Sequence, residues 1–86
     1  APTQPVVHIV DDDGDMRDSL TYLLRAEGIE VQVYSSPAEF EAVYRPEQPG
    51  CLLLDVRMPG LSGLELYERL LNEGIRVPVI FMTAYA

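Results

Sequence analysis

Two short runs constrain the fold more than anything else in the chain: Val6–Val10 and Cys51–Leu54, apolar at every position except His8. A strand with one face in water alternates apolar and polar residues, whereas an unbroken Val/Ile/Leu run belongs to a strand covered on both faces. Such strands need helices above and below the sheet, and the chain supplies helix signals in the right places. Asp13, Gly14 and Asp15 offer helix-start chemistry. Met16, Leu20, Leu23 and Leu24 then recur at the spacing of one buried face, and Gly28 suits the C′ position. Ile29, Val31 and Val33 alternate with Glu30 and Gln32, as expected of a strand nearer the sheet edge. Ser36-Pro37-Ala38-Glu39 combines an N-cap serine, a proline in the first turn and a glutamate at N3, predicting a short helix to about Tyr44.

After the breaks at Pro46 and Pro49-Gly50 comes the strand ending at Asp55, then a loop carrying Met58-Pro59-Gly60. Ser62-Gly63-Leu64-Glu65 reads as a capping box, with Leu64, Tyr67, Leu70 and Leu71 as the apolar stripe of its helix and Gly74 as its end. A last strand is expected over 77–83, with Pro78 tolerated only near its beginning. The order βαβαβαβ predicts a doubly wound α/β fold: a parallel sheet with right-handed crossovers and helices on both faces, and an order that reverses beside the first strand sets strands one, three and four side by side.

Eighty-six residues make one domain, 1–86. Fourteen acids against six arginines and no lysine leave a formal charge of −8, which argues against nucleic-acid backbone or anionic membrane as a direct partner. No apolar run is long enough to span a bilayer, and no basic-then-apolar leader is present. Cys51 alone makes no disulfide framework and is expected to pack as a small hydrophobe in a reducing, cytoplasmic setting.

Both apolar runs end in carboxylates, Asp11-Asp12-Asp13 after the first and Asp55 after the second. Carboxyl ends of strands form the ligand-binding edge of an open parallel sheet. Neighbouring strands lie about 4.8 Å apart, so these acids converge within roughly 6 Å and repel by about 3 kcal/mol per pair at an effective dielectric near 20. A hard divalent ion such as Mg²⁺ removes that strain and keeps waters that a phosphate can replace. Thr83 ends the last strand at the same edge. Metal, nucleophile and hydroxyl together suit phosphoryl transfer, with Asp11 and Asp12 holding the ion and the isolated Asp55 attacking phosphorus. Asp13 and Asp15 are read as helix-start and surface acids, Arg17 as a shield beside them, and His8 as a packed, hydrogen-bonded histidine without a catalytic role. Tyr22, Phe40, Tyr44, Tyr67 and Phe81 fall mostly at core spacing.

The segments VHIVDDDGDMR, LLLDVRMPGLSGLEL and PVIFMTA resemble the receiver domain of bacterial two-component response regulators. The resemblance implies a flavodoxin-like receiver fold with strand order 2-1-3-4 and a phosphorelay receiver rather than a turnover enzyme. Asp11 and Asp12 fall on its Mg²⁺-binding acidic pair, Asp55 on the phosphoacceptor served by a sensor histidine kinase, and Thr83 on the switch hydroxyl. Arg57 falls where the family gives the metal a backbone carbonyl, and Ala84 on the small residue that leaves the phosphoryl group room. The family's fifth strand, its lysine and its last helices have no counterpart, so the chain is expected to be a receiver truncated after the fourth strand. Any DNA-binding output domain would belong to a longer parent chain. An uncovered fourth strand would favour homodimers or segment exchange.

Other classes fit less of the chain. Asp11-Asp12-Asp13-Gly14-Asp15 resembles the D-x-D-G-T loop of haloacid-dehalogenase-like phosphatases but lacks the threonine and leaves Asp55 unexplained. An EF-hand loop would place Met16 and Tyr22 at its glycine and glutamate positions. A third alternative is an interaction module that keeps the fold and is never phosphorylated.

Overall fold

The computed structural model describes residues 4–57 and 62–82. The Met58-Pro59-Gly60 turn, Thr83 and Ala84 lie outside the described residues. The elements run β1 (Val6–Val10), α1 (Gly14–Ala26), β2 (Glu30–Tyr34), α2 (Pro37–Val43), β3 (Gly50–Asp55), α3 (Gly63–Asn72) and β4 (Val79–Met82). All neighbouring strands are parallel, in the expected order β2-β1-β3-β4.

Register determines which side chains share a face. His8 lies beside Gln32 and Leu52, and Val10 beside Tyr34 and Leu54. This face carries the main core, in which Val10, Tyr34, Leu52 and Leu54 pack with Phe40 of α2 and with Leu66 and Leu70 of α3. His8 is 1% exposed and sits among the rings of Tyr34, Phe40 and Tyr44, with centroids 5.8, 5.7 and 5.4 Å away. Its Nδ1 lies 3.0 Å from the Tyr34 hydroxyl, as a packed and hydrogen-bonded histidine requires. On the opposite face Ile9 and Val31 are buried on the side where α1 packs against β2.

Helix boundaries follow local chemistry. Asp13 caps α1 by accepting from the Asp15 and Met16 N–H groups, and Gly28 and Gly74 follow α1 and α3 at φ of 78° and 77°, where a side chain is strained. Ser62 and Glu65 form the predicted capping box of α3. In α2 the Ser36 hydroxyl accepts from Glu39 N–H as expected, but the Glu39 carboxylate reaches back to the N–H and hydroxyl of Ser35 rather than to Ser36.

Three expectations about burial need correcting. No α1 side chain is buried: Leu20 and Leu24 are half-covered, whereas Met16 and Leu23 are 43% and 60% exposed. Among the described residues α1 is the only helix on its sheet face, so just the row nearest the sheet is sheltered. The inward face of α3 is Gly63, Leu66, Tyr67 and Leu70, while Leu64 and Leu71 turn outward. A glycine lies within that stripe, and this shifted the apparent pattern by one residue. Among the aromatics, Tyr22 is exposed and Phe81 only partly covered, whereas Tyr34 is buried although it ends the strand predicted to have a wetter face.

Candidate functional site

One residue beyond the Val10–Leu54 pair, β1 and β3 continue into Asp11 and Asp55, which the register sets side by side on one face. Local hydrogen bonds hold both. Asp11 N–H donates to the Tyr34 carbonyl at 3.2 Å, extending the ladder to β2 by one residue. The Asp11 carboxylate accepts Asp13 N–H at 2.9 Å, and its carbonyl accepts the Arg17 guanidinium at 2.6 Å. On β3 the Asp55 carboxylate accepts Arg57 N–H at 3.1 Å, while Val56 N–H bonds the Met82 carbonyl at 3.0 Å. Gly63 closes the site from below. A Cβ there would lie 2.1 Å from the Asp55 carbonyl oxygen, so only glycine lets α3 begin so close to the end of β3.

Asp11, Asp12 and Asp55 each present an oxygen, all within 4.8 Å of one another. Asp11 is buried, Asp55 half-buried and Asp12 exposed. Burial pushes the Asp11 carboxyl up from its ordinary value, and the charges of Asp55 and Asp12 and a hydrogen bond with Asp55 add to the rise; the Asp13 N–H partly offsets them. The cleft above the acids measures about 240 Å³, with Met16 and Met82 as apolar walls and Arg57 at its rim. Three converging carboxylate oxygens form a donor set for a hard divalent cation.

Asp11, Asp12 and Asp55 thus meet as the sequence predicts, and Arg57 lines the same cleft. Thr83 and Ala84 lie outside the described residues. Asp13 faces the cleft rim but uses its carboxylate to cap α1, which fits its reading as a helix-start acid. Arg17 does more than shield charge, because it ties α1 to the Asp11 backbone. No spacing rule reveals that contact, since a carbonyl acceptor leaves no mark in the sequence.

Comparison with known proteins decides the family. The profile of the response regulator receiver domain matches residues 7–86. This chain belongs to the response regulator receiver domain family. It is 44% identical over 99% of its length to Nodulation protein W of Bradyrhizobium diazoefficiens, covering 37% of that protein. It is 43% identical over 98% of its length to the transcriptional regulatory protein FixJ of Azorhizobium caulinodans, covering 40% of it. The receiver therefore spans about two fifths of the length of these relatives. Among solved structures, response regulator StyR superposes with a TM-score of 0.93 at 45% identity, covering 98% of this chain and 42% of that one. The N-terminal part of FixJ superposes with a TM-score of 0.86 at 37% identity, covering 94% and 65%. Receiver domains of this family are signalling domains. No described helix is long and apolar enough to cross a membrane.

Proposed function

We propose that this receiver accepts a phosphoryl group on Asp55 from the phosphohistidine of a sensor histidine kinase. In the transfer an Asp55 carboxylate oxygen attacks phosphorus and the P–O bond forms as the P–N bond breaks. The electron pair returns to the imidazole, which takes up a proton from solvent. The observation that carries this reading is the placement of Asp55 beside Asp11 and Asp12 at the carboxyl edge of the sheet, with its oxygens reachable through an open cleft. Asp11, Asp12 and Asp55 would hold Mg²⁺, joined by the Arg57 backbone carbonyl. Bound there, the ion neutralises negative charge on the acids and on the entering phosphoryl group. The residues suit it, because three carboxylate oxygens within 4.8 Å of one another are the hard oxygen ligands such an ion takes.

Arg17, bonded to the Asp11 carbonyl, and the Asp13 N–H, bonded to its carboxylate, hold Asp11 in place at the shared site. By the resemblance, Thr83 would donate its hydroxyl to the phosphoryl oxygens and Ala84 would leave them space. The signal would pass to a DNA-binding output domain in a longer parent chain, as the names of the transcriptional regulators among the relatives suggest. A haloacid-dehalogenase-like phosphatase fits less well, because Asp13 is engaged as a helix cap and Asp55 would have no task. An EF-hand is disfavoured by the same geometry, since Asp15 stands outside the cluster.

Intact-mass spectrometry after incubation with acetyl phosphate tests the proposal. One phosphoryl adduct should form in Mg²⁺, be absent in EDTA and be absent from an Asp55→Asn variant. An adduct that persists in that variant, or a correctly folded protein that never acquires one, would overturn it.

A further inference from the structure

Five of the seven described residues that line the acidic cleft are charged, and the two that are not are methionines. They come from different elements. Met82 is the register partner of Asp55 across the β3–β4 ladder, so the two side chains leave the sheet on one face and line the cleft together. Met16 stands in the first turn of α1, where the Asp13 carboxylate accepts its N–H. The guanidinium of the next residue, Arg17, donates to the Asp11 carbonyl at 2.6 Å. That turn is therefore tied to the strand end that carries the acids. Met16 is held at the cleft although it is 43% exposed.

On the reading that Asp55 accepts the phosphoryl group, the same cleft decides how long the group stays. An acyl phosphate is lost when a water oxygen attacks phosphorus. The new P–O bond forms as the bond from phosphorus to the Asp55 oxygen breaks, the electron pair returns to the carboxylate, and the proton of the water passes to solvent, leaving inorganic phosphate. Attack runs in line with the breaking bond, so the water must stand on the side of phosphorus away from Asp55. Holding it there takes a hydrogen-bonding group. A thioether sulfur is only a weak acceptor and has no proton to donate, and the side chain that bears it is apolar and adaptable. At the rim, the Asp13 carboxylate is engaged in capping α1, and a guanidinium such as that of Arg57 cannot take up a proton.

We propose that Met16 sets the lifetime of the phosphoryl group on Asp55, as an apolar wall that denies the attacking water a group to hold it, with Met82 doing the same from β4. Met16 touches neither the ion nor the bond that breaks, so it acts by exclusion.

Two substitutions separate polarity from shape. Met16→Gln keeps the length of the side chain and adds an amide that can hold a water, whereas Met16→Leu stays apolar. All three residues favour helix and the position is exposed, so both variants keep the fold. Each protein is phosphorylated with acetyl phosphate in Mg²⁺ and freed of the donor by rapid desalting, and loss of the adduct is followed by intact-mass spectrometry. Met16→Gln should lose it about fivefold faster than the parent, the worth of one ordinary hydrogen bond to the attacking water, and Met16→Leu at the parent's rate. The rise in melting temperature with Mg²⁺ should be the same in all three proteins. The proposal is overturned if the adduct decays at one rate in all three, if Met16→Leu decays as fast as Met16→Gln, or if faster decay in Met16→Gln comes with a weaker Mg²⁺ response. A parent that never takes an adduct overturns the phosphoacceptor reading and this one together.

Discussion

Replacing Asp11 by asparagine isolates the electrostatic strain on which the cation-site reading rests. Asparagine keeps an oxygen to accept the Asp13 N–H and removes one negative charge from three acids within 4.8 Å. At that separation and an effective dielectric of about 20, each pair repels by roughly 3.5 kcal/mol. Asp12 is exposed and Asp55 only half-buried, so solvent and salt screening reduce the recoverable part to about 1–2 kcal/mol. Without Mg²⁺ the Asp11→Asn protein should then melt higher than the parent by roughly 5–15 °C for a domain of this size. With Mg²⁺ at ten times its dissociation constant the parent should gain about 1.4 kcal/mol, and the variant less than half of that. The pH dependence has a definite sign. Because the Asp11 pKa is raised on folding, the folded state binds its proton first. The Mg²⁺-free parent should therefore gain stability as pH falls through the raised value towards the ordinary carboxylate range, a gain missing from the variant. Thermal unfolding followed by circular dichroism, at matched ionic strength with and without Mg²⁺, measures all three. A variant that is less stable without Mg²⁺ and keeps the full Mg²⁺ increment would refute the reasoning.

Other predictions concern the frame around the site. Gly63→Ala places a methyl group against the Asp55 carbonyl and should cost about 1–3 kcal/mol in urea unfolding while weakening the Mg²⁺ response; an unchanged midpoint would mean that α3 is free to draw back. His8 has the opposite linkage from Asp11, since burial lowers its pKa and the unfolded chain binds the proton first. Stability should be lost as pH falls from about 6.5 towards the lowered folded value, and His8→Phe should flatten that part of the profile; a parent profile already flat there would contradict it. Phe40→Ala, at a fully buried ring, should cost about 3–5 kcal/mol by equilibrium unfolding, and a loss below about 1 kcal/mol would show that the core repacks. The outer edge of β4 has no strand partner among the described residues, and Ile80 is 56% exposed. Self-association through this edge should appear as concentration-dependent sedimentation, and a constant monomer would remove it.

Much of the site was legible because its residues follow runs that permit one reading. A run apolar but for His8 and followed by three aspartates leaves little freedom: the strand lies inside the sheet and the acids lie where it emerges. The same holds for Cys51–Leu54 and Asp55. Capping residues were equally direct, since Asp13 and Ser62 act on amides two or three positions away. Contacts across the fold were harder to see. Tyr34 belongs to a strand whose alternation suggests a wetter face, yet β2 pairs with β1 so that Tyr34 stands beside Val10, under Phe40. The stripe of α3 was misread because its closest approach to the sheet is made by a glycine, which carries no hydropathy.

The sequence by itself determined the alternation of strands and helices, the caps, and which carboxylates stand at strand ends, because each depends on neighbours within a few residues. Only the tertiary structure decided that Tyr34 packs into the core beside Val10, that Arg17 grips a backbone carbonyl, and that Gly63 brings α3 against the end of β3. Those facts depend on strand register and on how closely helices approach the sheet. Both are chosen by the packing of residues distant in the chain, which local propensity does not encode.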